Sequence, residues 1–233
     1  MYSEVFCRVY DVFGWNYYPE IFGEGLIRWM EARGIRPQSA LDLGCGTGVL
    51  CQMLEQRGIR AAGMDLSEGM IAIARERGPG IRYEVGNMIT YRPEGRFDLV
   101  TCTGDALNHI MALSDIEKIF ENVYGYLNEG GYFVFDILNE HEVSGSEPFE
   151  MDFDERTRVW FQMTRPGEDL VNLKIRVYEA GVLAFEENIR EKVHDPAAVC
   201  GLLEKCGFTV ERCADSLMDG DGHGTTWFVI ARK

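Results

Sequence analysis

The segment Leu41-Asp42-Leu43-Gly44-Cys45-Gly46-Thr47-Gly48 constrains this chain more than any other. A short apolar run, Ala40 to Leu43, reads as a buried parallel strand and opens directly into the glycines. Helix periodicity starts near Val49, where Val49, Leu50, Met53 and Leu54 form a stripe that stops at Gly58. Strand, glycine turn and helix N-terminus in succession let backbone come close to a nucleoside-containing ligand, because glycine tolerates the turn and has no Cβ in the way. The spacing is Gly-x-Gly-x-Gly. It is not the dinucleotide fingerprint, and no Lys-Ser/Thr follows as a phosphate loop requires. Asp42 would be awkward against a pyrophosphate but suits a cationic ligand group. Asp65 is the second marker. It closes the next apolar run, Ala61 to Met64, about 20 residues on, where a ribose-binding acid belongs.

The same rhythm continues. Ser67 reads as the N-cap of a helix carrying Met70, Ile71 and Ala74 and ending at Gly78. A strand from Ile81 to Val85 leads to Gly86-Asn87-Met88, and another from Phe97 to Cys102 leads to the polar stretch Thr103 to His109. Ser114-Asp115-Ile116-Glu117 has the form of a capping box, and its helix should stop at Gly130-Gly131 before a fifth strand, Tyr132 to Ile137. This alternation predicts an α/β fold, a doubly wound, mostly parallel sheet with ligands outside the strand carboxyl ends. Asp42 with Gly44, Asp65, Asn87, and Thr103 with Asp105 all fall at such ends.

From about Ser144 the period changes. Val171, Leu173, Ile175 and Val177 alternate with polar residues, flanked by Arg158 to Met163 and Val182 to His194. The pattern predicts three antiparallel strands, a small β insertion lying over the active-site mouth or forming an oligomer contact. The parallel rhythm resumes at Asp195-Pro196, an N-cap with proline at the first helical position, followed by strands Phe208 to Arg212 and Thr226 to Ala231. The expected organisation is residues 1–143, an insertion at 144–194, and residues 195–233 completing a seven-stranded sheet. The loop from Met218 to Gly224, with His223, reads as glycine-rich and mobile, and no metal is expected. At the N-terminus, Tyr2, Phe6, Tyr10, Phe13, Trp15 and Tyr17 precede a helix from about Pro19 to Gly34. These aromatics serve as core or as a lid.

Together these residues resemble class I S-adenosylmethionine-dependent methyltransferases of the small-molecule type with an inserted antiparallel sheet. The resemblance covers nearly the whole chain. It implies a Rossmann-like methyltransferase fold, S-adenosyl-L-methionine as cofactor, and methyl transfer to an N or O atom of a small-molecule acceptor. It also implies a cofactor site of Tyr10, Tyr18, Asp42, Gly44, Gly46, Asp65, Leu66, Asn87, Met88, Thr103 and Asp105. Asp65 would take the ribose hydroxyls, Asn87 would accept from the adenine amino group, and Leu66 and Met88 would sandwich the purine. The ammonium would meet carbonyls near Gly44 and Thr103, with charge from Asp42. Asn87 departs from the more usual Asp. The stretch Asp105-Ala106-Leu107-Asn108-His109 departs from a common Asp-Ser-Leu-Asn-Tyr pattern, placing a histidine where an aromatic hydroxyl often stands. His109 is the candidate catalytic base, with a suitable unperturbed pKa; a histidine satisfied by local hydrogen bonds is the other reading. His194 reads as structural.

Composition bears on partners. Asp and Glu number 38 against 23 Lys and Arg, a formal charge of −15, with no basic run. Nucleic acid and anionic membrane are therefore not expected as partners. The seven cysteines include no Cys-x-x-Cys pair and suit a reducing compartment. With no signal-like N-terminus and no apolar run long enough to span a bilayer, the expected location is cytoplasmic. A methyltransferase acting on RNA or protein, and a non-catalytic S-adenosylmethionine-binding module, are the rival readings. The acceptor and the oligomeric state are left open.

Overall fold

The computed structural model describes residues 2–139, 147–217 and 226–233. Two helices come first, α1 (Glu4–Tyr10) and α2 (Tyr17–Ala32). The alternation then runs β1 (Ser39–Leu43), α3 (Val49–Glu55), β2 (Arg60–Asp65), α4 (Glu68–Arg77), β3 (Arg82–Val85) and β4 (Phe97–Cys102). A single 3-10 turn (Ala106–His109), α5 (Leu113–Tyr126) and β5 (Leu127–Leu138) follow. Next come β6 (Phe149–Asp152), β7 (Thr157–Gly167), β8 (Leu170–Glu179) and β9 (Val182–Lys192). The chain closes with α6 (Pro196–Lys205), β10 (Thr209–Ala214) and β11 (Thr226–Arg232).

The main sheet has seven strands in the order β10-β11-β5-β4-β1-β2-β3. β1 to β5 are parallel, and β11 runs antiparallel to both its neighbours. β1 is buried along its whole length, as a strand covered on both faces must be. One apolar layer joins the sheet to α5 and α6 through Ile116, Ile119, Phe120, Val123, Val199 and Leu203. The opposite layer joins it to α2, α3 and α4 through Leu26, Trp29, Leu50, Leu54, Ile71 and Ala74. Strand order reverses between β1 and β4, which leaves a crevice at their carboxyl ends.

β6 to β9 form a separate four-stranded antiparallel meander. Its inward residues Val159, Ile175, Val177 and Ile189 pack on Phe6, Cys7 and Met70, with Tyr2, Tyr10, Phe13 and Trp15 at the margin. The N-terminal aromatics are thus core between α4 and the inserted sheet. Trp15 meets Phe6 at 5.0 Å and Phe161 edge-on at 5.9 Å.

Several local expectations are corrected. Ser114 does not cap α5: Ala112 holds the N-cap position without a side-chain hydrogen bond, and Leu113 already begins the helix. Burial of the Ile116, Ile119, Phe120 and Val123 stripe sets the entry, and Ser114 falls too late for its hydroxyl to cap. The inserted sheet has four strands, not three; β6 alternates Phe149 and Met151 with Glu150 and Asp152, but over only four residues, all exposed, so the pattern is too short to stand out. β5 begins at Leu127 directly from α5, with Gly130-Gly131 inside it. At Gly131 a Cβ would come within 3.0 Å of the Asp98 carbonyl, so the backbones sit too close for a side chain. Ser67 and Asp195 do cap their helices, accepting from Met70 N (3.3 Å) and Ala197 N (3.0 Å). The Met218 to Gly224 loop with His223 lies outside the described residues.

Asn108 fastens the two sheets together. Its side chain is fully buried, donating from Nδ2 to the Lys192 carbonyl on β9 (2.7 Å) and accepting at Oδ1 from Leu138 N on β5 (3.1 Å). Asn108→Ala strands both backbone groups and should cost about 2–4 kcal/mol of stability. Urea unfolding measures this, and a loss well under 1 kcal/mol, roughly one ordinary hydrogen bond, would remove Asn108 from that role.

Candidate functional site

A cavity of about 440 Å³ occupies the crevice at the carboxyl ends of β1, β2 and β4. That is within the roughly 300–1,000 Å³ of small-molecule sites. Its floor is the glycine loop. Gly44 has φ +72°, and a Cβ there would approach Ala106 Cβ to 2.9 Å, so only glycine fits. Gly44 N and Cys45 N both donate to the Met64 carbonyl, at 2.7 and 3.0 Å, anchoring the loop on β2.

Asp65 joins three elements. Its Oδ2 accepts from Gly46 N (3.0 Å) and its Oδ1 from Ser67 N (2.8 Å), linking the loop, the end of β2 and the start of α4. Burial raises its pKa, and those amides act in the opposite direction. Each oxygen retains a further lone pair for a ligand. Asp42 is buried and accepts from Thr101 Oγ1 (2.7 Å); burial pushes its carboxyl up to about 7.

A second buried acid, Asp136 on β5, shapes the segment after β4. It accepts at Oδ2 from Thr103 Oγ1 (2.7 Å), Gly104 N (3.0 Å) and the Tyr18 hydroxyl (3.0 Å). Its Oδ1 accepts from Asp105 N (2.9 Å). Burial raises its pKa while these donors lower it.

The roof comes from α1 and β9. Tyr2 and Tyr10 line the cavity, as do Glu187, Asn188, Ile189 and Arg190. Ser3 N donates to Glu187 Oε2 (3.0 Å) on one side. On the other, Asp11 pairs with Arg77 and accepts from Thr47 Oγ1 (2.8 Å) in the glycine loop. The N-terminal segment is therefore both core and lid, and the inserted sheet supplies one wall.

Of the residues expected from sequence, Tyr10, Asp42, Gly44, Gly46, Asp65, Leu66, Asn87, Met88 and Thr103 line this cavity, and so does His109. Tyr18 and Asp105 do not. The Tyr18 hydroxyl is committed to Asp136. Asp105 sits at φ +58° with its amide on Asp136, and its buried Oδ1 has no hydrogen-bond partner among the described residues. Both stand behind the wall. The Asn87 oxygen accepts from Ile89 N (2.9 Å), which leaves its second lone pair and its amide NH2 to offer a ligand. His194 bonds the Ile110 carbonyl (2.9 Å).

His109 Nε2 lies 3.2 Å from the Tyr2 hydroxyl and 3.9 Å from Glu191 Oε1. Burial lowers the imidazole pKa, opposed by a hydrogen bond to the Arg190 backbone. Burial raises Glu191 to about 7. Sequence reasoning offered a lid reading for the aromatics that include Tyr2 and set the insertion over the mouth, but it named no β9 residue of the lining and missed Asp136. Asp136 left a signal, an acid inside an apolar run, since a buried carboxylate must find donors. Which β9 residues face the cavity left none, because their proximity is tertiary.

Residues 40–131 match the family described as a methyltransferase domain. That stretch is similar to methyltransferase domains, and the chain has the class I, Rossmann-like methyltransferase fold. It resembles a Geobacillus sp. (strain WCH70) protein named as a methyltransferase, at 35% identity over 44% of this chain and 43% of that protein. It also resembles the ubiquinone biosynthesis O-methyltransferase of Pseudomonas aeruginosa (strain UCBPP-PA14), at 28% identity over 49% of this chain and 51% of that one. The chain thus spans about half the length of these curated relatives. An S-adenosylmethionine-dependent methyltransferase from Clostridium acetobutylicum shares the fold with a TM-score of 0.83, 23% identity and 97% coverage of both chains. CalS10, an amino pentose methyltransferase from Micromonospora echinaspora, shares it at 0.78, with 22% identity over 100% of this chain and 98% of that one. The matched stretch reaches from β1 into β5, so it contains the glycine loop, Asp65, Asn87 and His109.

The pH dependence of stability follows from the two raised carboxyls. Asp42 and Glu191 bind protons more tightly folded than unfolded, so their contribution is complete below the ordinary carboxylate range and lost as pH rises through about 7. The denaturation midpoint should therefore fall between about pH 4 and about pH 7, and Asp42→Asn should flatten that fall. An equally steep profile in the variant would rule out Asp42 as a source.

Proposed function

We propose that this chain is an S-adenosylmethionine-dependent methyltransferase acting on an N or O atom of a small-molecule acceptor. One observation carries the reading. The glycine loop, the acid ending β2 and His109 share one cavity, roofed by N-terminal aromatics and β9. S-Adenosylmethionine, when bound, supplies an electrophilic methyl group on a sulfonium. Everything else falls to the protein.

Asp65 has lone pairs for two ribose hydroxyls. Leu66, half exposed at 47%, and Met88 offer apolar surface to a purine. Asn87 can accept from the adenine amino group with the second lone pair of its oxygen, or donate through its NH2 to a ring nitrogen. Asp42 and the carbonyls near Gly44 and Thr103 receive the ammonium, and a nearby cation draws the Asp42 carboxyl toward its ionised form. Displacement at a sulfonium relieves charge, so holding the acceptor in line does most of the work. His109 removes the proton that a phenol or an ammonium must lose first. The lid excludes water.

A cavity of about 440 Å³ roofed by Tyr2, Tyr10 and β9 favours a small acceptor over RNA or protein, and the charge of −15 argues in the same direction. The ubiquinone biosynthesis and amino pentose enzymes are named for small-molecule pathways, one as an O-methyltransferase. A soluble, cytoplasmic setting goes with this reading. Among the described residues, no helix is long and apolar enough to cross a membrane.

Calorimetry tests the cofactor half: Asp65→Ala should weaken S-adenosylmethionine binding by about 1–3 kcal/mol, the cost of losing a charged hydrogen-bond partner. Unchanged affinity would refute that role. A panel of metabolites with labelled cofactor tests the other half. On the acceptor it finds, His109→Ala should lower turnover by about 10²–10⁴-fold and leave cofactor affinity alone. Tight cofactor binding without turnover on any acceptor would favour the non-catalytic module.

A further inference from the structure

We propose that Glu191 is a positioning residue for His109, and that its carboxylate stabilises the imidazolium formed when His109 accepts a proton. The proposal rests on the reading of His109 as proton acceptor.

The geometry comes from the inserted sheet. Asn108, next to His109, donates to the carbonyl of Lys192, next to Glu191, and so fixes β9 against the 3-10 turn. Alternation along β9 puts Glu187, Ile189 and Glu191 on one face, of which Ile189 is buried and Glu187 holds Ser3. Glu191 therefore faces inward. Its side chain is 16% exposed, and His109, a cation only once protonated, is the one basic side chain among the described residues within ion-pair distance of it. An ionised carboxylate buried without a partner is costly, whereas one beside a forming cation is matched.

The groups around this pair come from each packed element. Tyr2 approaches from the N-terminal segment, the Arg190 backbone and Glu191 from β9, and Asp105 from the loop ahead of the turn. The Tyr2 hydroxyl holds the Nε2 position that an acceptor N–H or O–H would take over. In the step itself, that proton passes to Nε2. The electron pair it leaves on the acceptor atom forms the bond to the methyl carbon, and the pair of the broken S–CH3 bond stays on sulfur. The Arg190 backbone bond orients the ring, and Glu191, at 3.9 Å, acts through its charge, since a carboxylate near a base favours the protonated form.

Proton NMR of the His109 ring in the ligand-free, full-length protein tests the proposal. Glu191→Gln should lower the His109 pKa by about 1, and Glu191→Asp should restore part of it. In the unaltered protein the His109 signal should titrate in two steps, because the pair shares protons. An unchanged His109 pKa in Glu191→Gln, or a single-step curve in the unaltered protein, would overturn the proposal. The second measurement decides even where the variant does not fold. Neither involves the cofactor, so absent S-adenosylmethionine binding would sink the methyl-transfer reading and leave this result standing.

Discussion

A carboxylate placed inside a sheet must be surrounded by donors, and much of this molecule follows from that demand at Asp136. The side chain is fully buried on β5, yet it draws in four donors from α2 and the segment after β4. Meeting them bends the chain at Gly104 and Asp105, both at positive φ, and so fixes Thr103 and Gly104 as cavity wall. The same carboxylate holds α2 by the Tyr18 hydroxyl. One charge thus coordinates the helix covering the sheet and the loop bordering the ligand.

Asp65 plays a comparable part on the other side of the switch point. Its two oxygens bind backbone of the glycine loop and of α4, so the residue expected to meet a ribose is already part of the loop's own support. Preorganisation follows: the acid does not need to move to meet a ligand. Asp42, Asp65 and Glu187 are the acids of the lining and Arg190 its one Arg or Lys, with Asp105, Asp136 and Glu191 close behind the wall. A ligand carrying positive charge is matched to such surroundings.

The main sheet was legible because its signals are local. Ala40 to Leu43 is apolar without alternation, glycines follow at once, and a helix stripe begins at Val49; each of these depends on a handful of adjacent residues. Ser67 was legible as a cap for the same reason. Ser114 carried the same kind of signal and misled, because the entry of α5 is set by which residues reach the sheet. β6 was overlooked, since its alternation runs for only four residues. At the site, strand-end residues were readable from topology. Which atoms remain available was not: the use of one Asn87 oxygen lone pair by Ile89, the withdrawal of Tyr18 to Asp136, and the approach of Glu191 to His109 arise only when the chain has folded.

The cavity is enclosed by two sheets with separate tasks. Its floor belongs to the parallel sheet, where Gly44 has no steric latitude and Asp65 is bonded on both oxygens. Its ceiling includes a strand of the antiparallel meander, joined to the floor chiefly through the lid and one asparagine. Substitutions along β9 can therefore remodel the chamber's upper surface without disturbing the turn beneath it. A lineage built on this plan has a fixed socket and an exchangeable canopy, so selectivity can drift while the lower half stays constant.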